Sequence, residues 1–258
     1  MSETILDVRD VGIRFGGVVA VDGVSFSVKR SLVHGLIGPN GAGKTTLLNG
    51  ITRLVPVQQG RISFLDKDIT ATPTHRIASL GIARTFQNIG LITNLTVIQN
   101  VMAGMHSRHP GSILDEVFRI GRRNRNEKWA YEQAREALSF TGMEHVADSE
   151  VSGLSYGMRK AVELARAMAV RPEMILLDEP TAGLNSREMA ELRDRLVDLR
   201  RKTNVTVLVV THHLEFLSAV ADNVTVLDLG KVIATGTPAQ IAKDPRVIAA
   251  YLGEGEDV

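Results

Sequence analysis

The chain has 258 residues, enough to bury a sizeable core in one lobed domain or two small ones, and its 30 Lys+Arg against 29 Asp+Glu leave a formal net charge of +1. That balance excludes an overall electrostatic pull toward nucleic acid or an anionic membrane, so no nucleic-acid partner is expected. With no cysteine there is no disulfide framework, thiol nucleophile or thiolate metal site, which fits a reducing compartment.

The start, MSETILDVRD, carries charges where a secretion signal needs an apolar run. Short β-like runs separated by turn residues follow through the opening third: ILDVRDVGIRF, VSFSVK, LVHGLIG and RISFLD. A glycine-rich segment comes directly after LVHGLIG, and then TTLLNGITRL, which has helical spacing. From about Val97 to Val170 helical patterns dominate, with Trp129, Ala130, Ala134, Ala137 and Leu138 as apolar positions, and this stretch reads as a helical insertion. Within it the basic cluster Arg119, Arg122, Arg123, Arg125 and Lys128 reads as a solvated helix end or loop rather than a nucleic-acid contact, because no aromatic residue is interleaved before Trp129.

At VSGLSYGMRKAVELARAM a helix begins, with Ser155 in the cap position, Gly157 allowing close backbone approach, and Met158, Ala161, Val162, Ala165 and Met168 at helical spacing. Alternation then returns: strand MILLD, helix REMAELRDRLVDLRR with Met189, Leu192, Leu196 and Leu199 on one face, and strand VTVLVV. VTVLDLGKVIATG predicts a hairpin turning near Gly230, and PAQIAKDPRVIAAYLG predicts short closing helices. Strands alternating with helices predict an α/β fold with a mostly parallel sheet covered on both faces. The apolar runs have strand length and fall far short of the ~20 residues of a membrane helix.

The segment Gly38, Pro39, Asn40, Gly41, Ala42, Gly43, Lys44 and Thr45, followed by Thr46, fits G-x-x-x-x-G-K-[ST] between a predicted strand and helix. Its glycines let backbone N–H groups surround a β-phosphate, Lys44 can reach the β and γ oxygens, and the Thr45 hydroxyl is placed for Mg²⁺. MILLDEP ends an apolar strand in two acids. Beside a phosphate loop, Asp178 reads as the metal-side acid and Glu179 as the base for the attacking water. These two motifs leave kinase, GTPase and motor ATPase open, although no NKxD-like guanine-reading segment is present.

LSYGMRK lies between the phosphate loop and the acidic strand, and there it resembles the LSGGQ-type signature of ATP-binding cassette (ABC) transporter ATPases. The resemblance covers nearly the whole chain. Gln87 in RTFQN matches the Q-loop glutamine, which contacts Mg²⁺ or the water and faces the membrane subunits; His212 in VVTHHLEF matches the switch histidine at the γ-phosphate. TAGLN, Thr181 to Asn185, matches the D-loop, and Phe15 the aromatic that stacks on adenine, a contact worth roughly 1 to 3 kcal/mol. FGGVVAVDGVSFSV, GIARTFQNIGLITNLTVIQNV, LSYG, AGLN and VIAAYLGE are similar to the ATPases of branched-chain amino-acid importers. Met158, Asn185, Phe15 and the pair Arg30 and Ser31 depart from the commonest pattern, which has Gln, Asp, Tyr and Gly-Glu there.

The resemblance implies a single ABC domain over 1–258: a core of roughly 1–90 and 165–258, with an N-terminal antiparallel β subdomain, and a helical subdomain of roughly 91–164. It implies ATP and Mg²⁺ as cofactors and a peripheral place on the cytoplasmic face of the membrane. The implied partners are two permease subunits, a second ATPase subunit paired head to tail, and indirectly a solute-binding protein. In that pair Ser155 and Gly157 would serve the neighbour's ATP. Other cargoes (urea, amides, exported lipopolysaccharide), an ABC ATPase without a transport role and a small-molecule phosphotransferase are the alternatives.

Overall fold

The computed structural model describes residues 3–85, 90–105 and 120–252, with the backbone alone over 120–127. The strands in chain order are β1 (Thr4–Phe15), β2 (Val18–Lys29), β3 (Val33–Ile37), β4 (Gln59–Phe64), β5 (Lys67–Asp68), β6 (Ile82–Thr85), β7 (Met174–Asp178), β8 (Thr206–Val210), β9 (Asn223–Asp228) and β10 (Lys231–Gly236). The helices are α1 (Lys44–Ile51), α2 (Thr74–Ile77), α3 (Val97–Ala103), α4 (Ile120–Phe140), α5 (Tyr156–Ala169), α6 (Ser186–Lys202), α7 (Leu214–Val220), α8 (Pro238–Ile241) and α9 (Pro245–Leu252).

Two sheets share the work. One, ordered β2-β1-β4-β5, is antiparallel; the other, ordered β10-β9-β3-β8-β7-β6, is parallel except for the β9–β10 hairpin. Every residue of β3, β7 and β8 is buried, which is why VHGLI, MILLD and TVLVV read as nearly continuous apolar runs. Side chains still alternate across this sheet. Leu36, Leu176 and Leu208 join α1 residues Leu47 and Leu48 and the antiparallel sheet in one core. Ile175, Leu177, Val207 and Val209 meet Leu192, Leu196 and Leu199 of α6 and Leu217 of α7 in the other. Each fully buried leucine of this kind contributes about 1.5 to 3 kcal/mol.

The helical region has its own core, in which Val97, Ile98 and Val101 of α3, Ala134 and Leu138 of α4 and Ala161, Val162 and Ala165 of α5 come together. The α5 positions are those the sequence spacing put on one face. Asn185 starts α6 with a capping box closed by Glu188, and the basic residues Arg200, Arg201 and Lys202 suit its carbonyl end. The structure adds β6, which IART does not announce, because four residues pairing only with β7 leave too short a pattern to read.

Parallel register then fixes where chemistry can happen. Leu36 and Asp178 both stand beside Val210, so β3, β7 and β8 end at one level. The glycine loop, the Asp178–Glu179 pair and His212 all leave the sheet along this carboxyl edge, the usual ligand side of an open α/β sheet.

Candidate active site

The glycine loop owes its shape to close backbone packing. Gly38 has φ 153° and a Cβ there would lie 2.0 Å from the Leu227 carbonyl oxygen; Gly43 has φ 94° and a Cβ would lie 2.3 Å from the Ala20 carbonyl oxygen. Any side chain at either position would push the loop off β9 or β2. α1 begins at Gly43 without a side-chain cap and with no acid in its first turn, so its amino end is left for an anion. Lys44 is buried, and its Nζ donates to the carbonyls of Gly38 (2.7 Å) and Pro39 (2.8 Å) across the loop. Pro39 and Ala42 are buried, whereas Asn40, Gly41 and Thr45 face outward and Thr46 is half-buried.

The acids are held tightly. Asp178 is 2% exposed, and its Oδ2 accepts from Arg84 Nη2 at 2.8 Å. Its Oδ1 is buried and has no hydrogen-bond partner among the described residues. Glu179 sits at φ 47°, a left-handed conformation that costs a non-glycine residue about 1 to 2 kcal/mol, while its N–H donates to the Val210 carbonyl at 2.8 Å. His212 Nδ1 stands 3.1 Å from Glu179 Oε2, too poorly aligned for a hydrogen bond. A buried Thr181 to Thr211 hydroxyl contact of 3.0 Å ties the two segments behind them. The loop, both acids and His212 are thus gathered on one edge, as the sequence spacing leads one to expect.

Two aspects suit a magnesium ion: an unpartnered carboxylate oxygen at Asp178 and an outward hydroxyl at Thr45, both hard oxygen donors. No group of three or more His, Cys, Asp or Glu that could cage a metal exists among the described residues. The two donors suit an ion held by one carboxylate, one hydroxyl and substrate phosphates. Gln87 lies outside the described residues.

Phe15, Val18 and Val19 are 50%, 67% and 42% exposed side by side at the β1–β2 turn. β2 runs from there to Ala20 against the glycine loop, so the display adjoins the phosphate end of the site.

Ser155 caps α5 by accepting from the Met158 N–H at 3.3 Å. Ser155 and Gly157 border a cavity of about 270 Å³ shared with Met158, Asn185, Glu188 and Leu192, and no glycine-loop residue lines it. Gly157 has a partner inside the chain, since a Cβ there would fall 2.2 Å from Glu188 Oε1. The open approach expected of Gly157 is therefore used, at least in part, by α6. Sequence reasoning missed this contact and the Arg84–Asp178 pair; an arginine inside the apolar context GIARTF was the one available signal for the second.

Comparison with known proteins agrees with this geometry. The chain matches the ABC transporter family over residues 21–182 and the branched-chain amino acid ATP-binding cassette transporter family over residues 231–257. It is 38% identical to the high-affinity branched-chain amino acid transport ATP-binding protein BraF of Pseudomonas aeruginosa, across 98% of this chain and 100% of the relative. Identity to LivG of Escherichia coli, of the same description, is 36% over the same shares. A nucleotide-free ATP-binding cassette from an ABC transporter superposes with a TM-score of 0.84 at 32% identity, covering 96% of this chain and 98% of that one. An ABC transporter cassette in its ADP conformation gives 0.85 at 33%, covering 98% and 100%. Matched over more than half its length and aligned end to end with these relatives, the chain belongs to the ABC transporter family as one of its ATP-hydrolysing cassettes.

Proposed function

We propose that this cassette energises import of branched-chain amino acids or closely related small solutes through separate permease subunits. The match of residues 231–257 to the branched-chain amino acid cassette family carries the cargo assignment. No helix among the described residues is long and apolar enough to cross a membrane. Attachment to its cytoplasmic face is accordingly assigned to the permeases. A groove of about 300 Å³ where the ends of α1 and α2 meet α3 and α5, lined by Leu54, Ile77, Gly104 and Arg166 among others, would seat such a subunit.

In the proposed reaction Phe15 stacks on adenine, and the backbone amides of residues 40–46 with Lys44 hold the phosphates and take up charge that grows as the γ-phosphoryl group leaves. Thr45 and Asp178 would hold Mg²⁺, the ion to which the resemblance also assigns Gln87, and when bound it would supply positive charge against the phosphates. Glu179 accepts a proton from the water whose oxygen attacks the γ-phosphorus as the bond to the ADP oxygen breaks. His212, 3.1 Å from Glu179, contacts the γ-phosphate and registers its presence. Ser155 and the start of α5 are offered to ATP held by a second cassette. Closure of the pair on ATP and reopening after hydrolysis would drive the permease between its two accesses.

Reconstitution in vesicles with the permeases and solute-binding protein that co-purify with the chain tests the cargo. ATP-dependent accumulation of leucine, isoleucine or valine is expected. Uptake of urea or amides with none of these three would contradict the assignment.

A further inference from the structure

We infer that Arg84 is a positioning residue for the Asp178 carboxylate, a role that rests on the metal site proposed above. Its side chain is 6% exposed at the end of β6 and joins three elements. Nη2 donates to Asp178 Oδ2 at 2.8 Å, and Nη1 donates to Asn49 Oδ1 at 2.8 Å and to Thr52 Oγ1 at 3.0 Å. Asn49 lies within α1, and Thr52 caps it while donating from its own hydroxyl to the Leu48 carbonyl at 2.8 Å. One guanidinium therefore locks the end of β7 to the helix that follows the glycine loop.

The consequence for Asp178 is directional. Arg84 occupies one carboxylate oxygen and compensates the buried charge, and the other oxygen, Oδ1, remains buried without a hydrogen-bond partner among the described residues. A buried acceptor left unmade is costly unless another group takes it up. Water in the shell of a magnesium ion is such a group. By fixing which oxygen is engaged, Arg84 fixes which one faces the ion and holds the acid in register with α1, whose first turn carries Thr45. Electrostatics alone argues the opposite, since a cation beside the carboxylate should weaken its hold on a second cation. The geometry favours orientation over that repulsion, because Arg84 engages Oδ2 alone and is itself held by Asn49 and Thr52, which leaves Oδ1 for the ion's shell. A lysine keeps the charge and loses the fork, so the two contributions can be separated.

The test uses the purified full chain with Mn²⁺ as the probe, followed by electron paramagnetic resonance with and without a non-hydrolysable ATP analogue. Nucleotide affinity is measured separately in EDTA. For Arg84→Lys the expected result is nucleotide affinity in EDTA within about twofold of wild type, and Mn²⁺ affinity of the nucleotide-loaded chain lowered about tenfold, the usual scale for losing a group that orients a metal ligand. Arg84→Gln should lower it further, toward about a hundredfold. Unchanged or tighter Mn²⁺ binding in Arg84→Lys would overturn the inference, and this variant decides alone if Arg84→Gln does not fold. A wild-type chain that adds nothing to the Mn²⁺ affinity of free nucleotide would instead overturn the metal site itself.

Discussion

The glycine-loop edge and the start of α5 both offer helix amino ends to an anion, but they are built differently. The first is enclosed: Gly38 and Gly43 lie against the backbones of β9 and β2, Lys44 is buried, and Asp178 is fixed by a buried ion pair. At α5 the cap is an exposed serine, Tyr156 is exposed, and the nearest acidic neighbour is Glu188 of α6. One region gathers a glycine loop, two adjacent carboxylates and a histidine on one sheet edge, whereas the other is a capped helix end packed beside Glu188 of α6. On the proposed function, that difference marks the second as a surface to be presented rather than a second active site. It makes sense as half of a site completed by another cassette.

Four changes would break or sharpen this contrast. The largest effect is expected at the enclosed edge: Glu179→Gln should cut ATP turnover by about 10² to 10⁴ while leaving nucleotide bound, in steady-state hydrolysis with a parallel binding measurement. Turnover near the wild-type rate would remove Glu179 from the role of base. Next comes the strand beneath the loop. His34 of β3 is buried against the Phe26 ring and the Thr225 hydroxyl, and burial pushes its pKa down from 6.5 to about 4. The unfolded chain takes up that proton near pH 6.5 and the folded chain only near pH 4, so stability holds above the first value and falls as pH drops through the window. The loss should approach about 3 kcal/mol below pH 4. Denaturant titrations of His34→Asn from pH 7 to pH 4 should show a shallower decline than wild type; an identical slope would assign the acid sensitivity elsewhere.

How much of this the sequence carried depends on distance along the chain. The phosphate loop was legible because its residues are consecutive and its context of strand and helix is local. The buried strands were legible as continuous apolar runs, and the face of α6 from the spacing of Leu192, Leu196 and Leu199. The Arg84–Asp178 pair was not, since 94 residues separate partners that only the β6–β7 pairing brings together. The strained backbone at Glu179 and the nearness of His212 to it have the same origin, in strand ends aligned by sheet register. Local pattern finds the groups; long-range pairing sets their geometry.

The smaller effects probe the two helix ends directly. Phe15→Ala should weaken nucleotide binding by about 1 to 3 kcal/mol, measured by calorimetry, with turnover at saturating ATP little changed. Equal affinity would show that the exposed β1–β2 turn does not meet the base. Ser155→Arg should leave ATP binding by the single chain within experimental error of wild type and abolish ATP-dependent pairing in a Glu179→Gln background, as judged by light scattering. Normal pairing would reduce Ser155 to an ordinary helix cap.

The central claim is that this polypeptide holds halves of two different sites, and ATP turnover per chain against the supply of a second cassette tests it most directly. The isolated chain at high dilution should bind ATP yet turn it over slowly, and the rate per chain should rise when a second cassette is supplied, either as its own copy at high concentration or within the assembled transporter. A rate per chain that stays constant across dilution and is unaffected by any second cassette would contradict it.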